Sequence, residues 1–585
     1  MNKQEADVLK TLFLEPFINQ RILADLCGHS LGVVNRSLKN LITEGYLDEQ
    51  IKVTTKAKSE MAWSAPKNAV ILAAGFGMRM VPINTQSSKA LLEVNGETII
   101  ERTIKQLHEI GVTEIYVVVG FMKEQFEYLI DEYGVELVVN EHYAEKNNLH
   151  SLNLVADHIS NTYIIPCDIW CMKNPYSRNE LYSWYMVNDL VDDESMVRVN
   201  RKMELAVTTD GQAGNMMVGI SYLAEPQATI IRDRLKAFDK DKRYEKSFWE
   251  EVLIDNDRMI VYAKLAHSFD TVEINTFEQL RELDENSNNL KSDAIEIIAN
   301  ALQVNRNEIV DINILKKGMT NRSFIFSCRN QKYIMRIPGE GTDLLIKRIE
   351  EAAVYDVIKD KDICDDIVYI NPLNGYKITK YLESSRVCDA DNEEDLVRCM
   401  KKLRDFHSLN LKVGHKFDIF KQIDFYESLW DATPSAYRDY ESTKTKIFEL
   451  KEYIDNCKFE VCLTHIDAVP DNFLFTADGD IRLIDWEYAG MQDPHVDIAM
   501  FCIYALYDRT QVDRLIDIYF ESKCEKQTRL KIYCYIAACG LLWSNWCEYK
   551  RSLGVEFGEY SLRQYRYAKE YYKIFKEEGG PDESR

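Results

Sequence analysis

Thr464-His465-Ile466-Asp467-Ala468-Val469-Pro470-Asp471-Asn472-Phe473, followed by Ile484-Asp485-Trp486-Glu487-Tyr488, decides the fold of the second half of this 585-residue chain. The pattern is H-x-D-x-x-x-x-N, with another aspartate on a strand-like L-I-D thirteen positions after the asparagine. Phosphoryl transfer needs a carboxylate to accept the proton of an attacking hydroxyl, and oxygen donors for the Mg²⁺ on the β- and γ-phosphates. Asp467 fits the first role and Asn472 and Asp485 the second, while His465 is better suited to bracing the loop than to chemistry. Trp486-Glu487 follows Asp485 with no A-P-E element after it, which points to a small molecule as the acceptor rather than a protein.

Around that stretch, Ala294–Leu302 reads as a helix and Ile309–Leu315, Arg322–Cys328 and Lys332–Ile337 as strands. Beyond about Glu383 the chain is helical apart from strands near 463–484. A small β lobe ahead of a large helical lobe is a kinase-like order. Residues 292–580 resemble the choline/ethanolamine kinase family. Lys317-Gly318-Met319-Thr320-Asn321-Arg322-Ser323-Phe324 corresponds to its nucleotide loop, so the resemblance assigns Thr320 and Asn321 to nucleotide binding. Tyr333-Ile334-Met335-Arg336-Ile337-Pro338-Gly339 matches a strand on which Arg336 replaces the lysine of protein kinases. Arg348-x-x-Glu351 offers Glu351 as the partner of Arg336, with Glu350 as the alternative.

A quaternary ammonium has no N–H to donate and is held by π-faces and a nearby carboxylate. Trp543-x-x-Trp546 sets two indoles on one helix face, and Tyr488 follows Asp485 closely. Packing in a helical core is the other reading of the pair. The resemblance implies that Tyr488, Trp543 and Trp546 line a choline pocket, with Tyr560 and Tyr565 as further candidates.

In the first half, Val70-Ile71-Leu72-Ala73-Ala74-Gly75-Phe76-Gly77-Met78-Arg79 follows a buried strand, with Lys89-Ala90-Leu91-Leu92-Glu93-Val94-Asn95-Gly96 downstream. Gly75-x-Gly77 allows backbone N–H groups close to a triphosphate. Leu72, Ala73 and Ala74 lead into that turn, Arg79 adds a bidentate phosphate donor, and Lys89 balances charge at the attacked phosphate. Residues 68–283 resemble the sugar-phosphate and phosphocholine nucleotidyltransferases, with Ser88-Lys89 where that family has P-K. Asn140-Glu141-x-Tyr143-x-x-x-Asn147-Asn148-x-x-Ser151 is most similar to the phosphocholine cytidylyltransferase branch. Asp168, after the strand Tyr163–Ile165, fits a Mg²⁺ ligand or an ordinary turn residue. The family's E-x-D-T reads Glu273-Ile274-Asn275-Thr276 here, so an amide oxygen stands where a carboxylate is usual. Strands Ala69–Leu72, Glu114–Val119, Glu136–Val139 and Tyr163–Ile165, alternating with helices Ile99–Ile110 and Lys123–Asp131, predict a parallel, doubly wound sheet.

Residues 1–62 form a further domain. Helices Ala6–Leu14, Ile22–Cys27 and Leu31–Ile42, the last capped by Ser30, precede a two-stranded wing through Gly45-Tyr46-Leu47 and Ile51-Lys52-Val53-Thr54. This is the order of a winged helix-turn-helix, similar to the small modules of bacterial transcription factors. Packing of Val33, Val34, Leu38 and Leu41 leaves Asn35, Arg36 and Lys39 outward. Lysines and arginines equal carboxylates in residues 1–60, where a dedicated DNA binder shows a basic excess. DNA is therefore a possible partner only through this domain. Met61–Lys67 reads as a short linker and Asp284–Asn289 as a polar one.

A net charge of −23 argues against a nucleic-acid coat or an anionic membrane as the main partner. Fourteen scattered cysteines form no paired framework, and Cys167 and Cys171 lack partners for a zinc site. The apolar stretch Ile532–Trp546 is too short to span a bilayer, and Met1-Asn2-Lys3-Gln4-Glu5 runs straight into helix-like sequence. A cytoplasmic protein without membrane insertion is expected.

The expected architecture is multidomain α/β and α+β: winged helix 1–62, nucleotidyltransferase 68–284, kinase-like phosphotransferase 292–580. The resemblances imply choline and ATP giving phosphocholine, and phosphocholine and CTP giving CDP-choline and pyrophosphate, both with Mg²⁺. Three alternatives remain: ethanolamine or another amino alcohol, a sugar-phosphate nucleotidyltransferase joined to an aminoglycoside-type kinase, and a DNA-binding metabolite sensor.

Overall fold

The structure is a computed structural model. It describes all residues except 76, 78, 79, 81, 84–86, 194, 210, 211, 316–320, 340–344, 431, 432, 458, 459, 554, 556 and 580–585, and for 321 and 322 the backbone alone. Two units are distinguished, Met1–Glu296 with Ile312–Ile314, and Ile297–Asp311 with Leu315–Arg585.

In the first unit every residue of the Asn68–Ala73 strand is buried, as its uninterrupted apolar run requires of a strand covered on both faces. It pairs in parallel with Glu114–Val119 on one side and Thr162–Pro166 on the other, and Glu136–Val139 extends that half of the sheet. The expected parallel sheet ends there. Gly214–Leu223 pairs antiparallel with Thr162–Pro166 and with Trp184–Asp192, and Arg258–Ala266 returns parallel to the latter. The sheet is therefore mixed, because no crossover helix separates Trp184–Asp192 from Gly214–Leu223. The predicted helix Lys123–Asp131 is divided into a 3₁₀ turn, Lys123–Phe126, and a helix, Tyr128–Tyr133.

Leu72 lies opposite Pro166 in the central pair, so the Gly75–Gly77 turn and Asp168 leave the sheet at neighbouring strand ends. A separate ribbon, Thr271–Glu273 against Ile169–Cys171, brings Asn275 to the same place, with Ile274 N donating to Asp168 O at 2.9 Å. The polar stretch after Leu283 is tied down rather than loose. Asp284 and Asn289 accept from the backbone N–H of Asn95 and Glu93, both at 2.8 Å.

The N-terminal helices are α1 (Lys3–Leu14), α2 (Gln20–Cys27), α3 (Leu31–Thr43) and α4 (Thr55–Trp63). Ser30 caps α3 through Val33 N. The expected wing is reduced to one bridge, Leu47 to Val53, because Thr54 caps a helix at once. The expected linker 61–67 begins inside that helix with Met61 buried, and the Tyr222 hydroxyl donates to Ser64 O. The helices dock on the transferase through α1. Lys10 Nζ is 2.5 Å from a carboxylate oxygen of Glu180, whose side chain has no exposure, and the other Glu180 oxygen accepts from Tyr163 Oη at 3.1 Å. Tyr182 Oη donates to Asp7 at 2.6 Å.

In the second unit Asn321–Cys328, Gln331–Pro338, Lys377–Lys380 and Ile367–Ile370 form a continuous antiparallel sheet. The helical part packs around Lys526–Ser552, which is buried from Leu530 to Lys550. No helix among the described residues is long and apolar enough to cross a membrane. Short strands Cys462–Thr464, Phe473–Phe475 and Ile481–Leu483 frame the segment 465–472.

Removing one partner of a buried ion pair strands the other charge. Lys10→Met is expected to destabilise the first unit by about 2–3 kcal/mol in chemical denaturation, less than a fully buried pair because Lys10 is one-fifth exposed. Lys10→Arg is expected to restore most of it.

Candidate active sites

In the first unit a cavity of about 410 Å³ opens where the parallel strands end. Leu72, Ala74, Gly75, Gly77, Lys89 and Asp168 form one wall, and Asn140, Tyr143, Asn147, Asn148 and Ser151 another. Ala73 belongs to the sheet core, and Arg79 lies outside the described residues. Gly77 has φ +57° and a Cβ there would stand 3.3 Å from Lys89 Cβ, so the turn needs glycine on both counts. Lys89 Nζ sits 2.6 Å from Asp168 Oδ2 and 2.6 Å from Asn275 Oδ1. A carboxylate and an amide oxygen from distant segments thus converge on one cationic position, a hard-oxygen donor set suited to Mg²⁺. Glu273 is exposed on the neighbouring ribbon and absent from the cavity wall.

The second wall is clamped. Asn147 N donates to Glu245 O at 2.9 Å, Trp249 N donates to Asn148 Oδ1 at 2.7 Å, and Lys246 Nζ donates to Glu145 O. Next to the clamp, Glu250 is buried and accepts from Tyr185 Oη at 3.0 Å. Burial, with Asp168 adding to it, pushes its carboxyl up to about 7. Sequence reasoning missed this residue because it stands in no motif.

In the second unit a cavity of about 540 Å³ is lined by Arg336, Asp467, Asn472, Asp485, Glu487, Tyr488, Trp543 and Trp546. Thr320 lies outside the described residues, as does the side chain of Asn321. Arg336 makes a bidentate pair with Glu351 at 2.6 and 2.7 Å, which resolves the choice against Glu350. Burial opposes both charges, yet the pair overrides it: Arg336 and Lys377 hold Glu351 down at about 2.

Two backbone positions here are left-handed, Ile466 at φ +70° and Asp485 at +66°. A β-branched residue in that region is strained and must be held. Asp497 holds it, its carboxylate accepting from Ile466 N at 2.7 Å and His465 N at 3.0 Å while contacting His407 Nε2 at 2.9 Å. His465 Nε2 lies 2.9 Å from Ile484 O and so ties the loop to the strand before Asp485. Asn472 Nδ2 donates to Asp467 O at 2.9 Å. Burial, then Asp485 and Glu487, raise Asp467 to about 8. Arg336 lies 4.0 Å from Asp485 and 3.7 Å from Glu487, and Arg348 3.5 Å from Glu487, while the Asp485 carboxylate and the Asn472 amide oxygen are hard donors of the kind Mg²⁺ takes.

The other end is aromatic. Tyr488 and Trp543 meet edge-on with centroids 5.5 Å apart, and Trp543 and Trp546 at 5.6 Å. Phe557 and Tyr560 complete the wall, as does Tyr504, whose hydroxyl donates to Asp471 at 2.7 Å. Tyr565 instead stacks on Tyr437 and donates to Asp439. Tyr504, Phe557 and Asp471 carried no spacing signal and were missed.

A phosphate-sized turn beside one cation centre, and a carboxylate cluster beside an aromatic box, define an enzyme with a nucleotidyltransferase and a kinase in one chain. Comparison with known proteins agrees. Residues 69–182 match the MobA-like NTP transferase domain, 312–538 choline/ethanolamine kinase, and 1–48 the winged helix-turn-helix DNA-binding family. Choline-phosphate cytidylyltransferase of Streptococcus pneumoniae is 32% identical over 222 residues, 37% of this chain and 96% of that protein. 2-Aminoethylphosphonate cytidylyltransferase of Lancefieldella rimae is 33% identical over 234 residues, 37% of this chain and 88% of that protein. The crystal structure of choline kinase LicA from Streptococcus pneumoniae is 28% identical, covering 48% of this chain and 97% of that one, with a TM-score of 0.43. The chain belongs to the cytidylyltransferase family of the first two relatives, and it carries a choline/ethanolamine kinase domain as well.

The raised Asp467 carboxyl makes a pH prediction. Its native value of about 8 stands above the ordinary 3.8, so the folded state binds the extra proton. The stabilising effect is complete below about pH 4 and lost as pH rises through about 8. Thermal melts of the parent without nucleotide, with chelator present, are expected to fall with pH more steeply than those of Asp467→Asn.

Proposed function

We propose that the chain phosphorylates choline with ATP and transfers CMP from CTP to the resulting phosphocholine, giving CDP-choline and pyrophosphate. The division 1–62, 68–284 and 292–580 belongs to this reading, as do both reactions taking place in the cytoplasm. The observation that carries it is the kinase cavity, with Asp467 at one end and the Tyr488–Trp543–Trp546 box at the other. A quaternary ammonium in the box directs its hydroxyl arm toward Asp467, which takes the hydroxyl proton as the oxygen attacks the γ-phosphate. Arg336, fixed by Glu351, faces the phosphates, and Thr320 and Asn321 serve the nucleotide loop. Asn472 and Asp485 would hold Mg²⁺, which offsets charge on the β- and γ-phosphates.

In the transferase, the turn Leu72–Gly77 takes the triphosphate, with Arg79 as a further phosphate donor. Lys89 stabilises charge developing on the attacked α-phosphate, and Asp168 and Asn275 would hold its metal, without the exposed Glu273. The aminophosphonate relative keeps a primary amine open as the alternative headgroup for this centre. DNA is favoured as an additional ligand by the exposure of Asn35, Arg36 and Lys39 on α3.

Asp467→Asn is expected to abolish phosphocholine formation and leave CDP-choline synthesis from added phosphocholine intact. Lys89→Ala is expected to do the reverse, with a loss of about 3 kcal/mol or more in transition-state stabilisation. Product analysis by mass with choline, ATP, CTP and Mg²⁺ reads both, and loss of both activities in either folded variant overturns the two-centre reading. Trp543→Ala and Trp546→Ala should each raise the choline KM roughly tenfold and change the ATP KM little. Preference of the parent for ethanolamine would show the indoles to be core. Mobility shifts are expected to be weak and lost at moderate salt.

A further inference from the structure

We propose that the winged helix carries an isologous homodimer contact, made by α2 against α2 of a second copy of this chain. α2 buries Leu23 and Ala24 against the rest of its domain and turns Arg21, Ile22, Asp25 and Leu26 outward. Ile22 is 37% exposed and Leu26 55%, one helical turn apart on the same stripe. Leu14 and Ile18 just before the helix, and Leu31 just after it, are exposed by 48–67%. Ile22 and Leu26 thus form one exposed apolar stripe on α2, flanked in sequence by the exposed Leu14, Ile18 and Leu31. The docking face of α1 is already used by Glu180 and Tyr182, so this surface is a different one.

The charge pattern says what covers it. On the outward face the apolar stripe Ile22–Leu26 runs beside a charged stripe, Arg21–Asp25, and neither charge is in an ion pair among the described residues. A two-fold axis perpendicular to two antiparallel α2 helices superimposes like stripes. Ile22 then meets Leu26 of the second copy and Leu26 its Ile22, Arg21 faces Asp25 of the second copy, and Asp25 faces its Arg21. That reciprocity is the requirement for an isologous contact. A DNA backbone offers nothing for the apolar Ile22–Leu26 stripe. The contact is small beside the roughly 1,200–2,000 Å² of stable interfaces, so the dimer is weak and concentration-dependent.

Sedimentation velocity of the full chain, diluted through the micromolar range, is expected to show monomer–dimer exchange. Leu26→Glu is expected to give monomer throughout. Arg21→Asp and Asp25→Arg place like charges opposite each other, and each alone is expected to weaken dimerisation roughly tenfold. An equimolar mixture of these two variants restores both opposite-charge pairs and is expected to dimerise again. Unchanged melting midpoints exclude misfolding as the cause. A parent that is monomeric over the whole range overturns the proposal, whether another macromolecule or nothing covers the patch. So does a dimer that Leu26→Glu and both charge variants leave intact.

Discussion

Two backbone N–H groups pinned by one carboxylate support the kinase centre. Asp497 accepts from His465 N and Ile466 N together, and only such a clamp keeps a β-branched residue at φ +70° next to Asp467. The strain is local and its use is specific. It turns the chain so that Asp467 enters the cavity from one side while Asp485, itself left-handed, enters from another. Carboxylates brought so close repel, which is why burial and the neighbouring Asp485 and Glu487 leave Asp467 carrying a proton to about pH 8. Arg336 offsets the other two carboxylates, 4.0 Å from Asp485 and 3.7 Å from Glu487, so the strained turn, and not an excess of charge, sets the oxygen donors around the cavity.

The transferase meets the same problem differently. Asp168 and Asn275 come from segments more than a hundred residues apart and share a single ammonium, Lys89. Replacing a second carboxylate by Asn275 lowers the repulsion there, and among the described residues of the turn the positive φ falls on a glycine, Gly77. The difference follows from the folds. Ends of parallel strands deliver side chains to one edge without bending the backbone, whereas the kinase loop must reverse direction between two short strands.

The motif residues were legible because their spacing encodes chemistry that few sequences satisfy by accident. His465, Asp467, Asn472 and Asp485 needed no structure to be singled out, and Glu351 needed only the choice between two neighbours. Asp497, Glu250 and Tyr504 were invisible for the opposite reason. Each acts across a distance in sequence that no local pattern records, and each is an ordinary residue type in its own segment. The sheet was half legible on the same principle. Apolar runs such as Val70–Ala73 declare a strand buried on both faces, while Trp184–Asp192 is exposed along its last residues and Gly214–Leu223 places Asn215 near one end and Ser221 near the other, and both are specified by pairing with each other. The wing was overread because Thr54, taken as its last residue, is the cap of α4.

The attachment of the N-terminal helices changes what their balanced charge means. A free DNA-binding domain relies on net positive charge for affinity, but here one of its lysines is committed inward. Lys10 neutralises Glu180, which in turn orients Tyr163 on the strand that ends at Pro166, two residues before Asp168. Lys264, buried nearby and drawn down by that burial to about 8, has its ammonium 3.9 Å from the Trp184 ring centroid rather than in water. Removing the helices would take Lys10 from Glu180 and leave the Tyr182 hydroxyl without Asp7. The helices keep a hydrophobic core of their own, with Leu181 packed against it, and the Lys10–Glu180 and Tyr182–Asp7 contacts tie that core to the transferase.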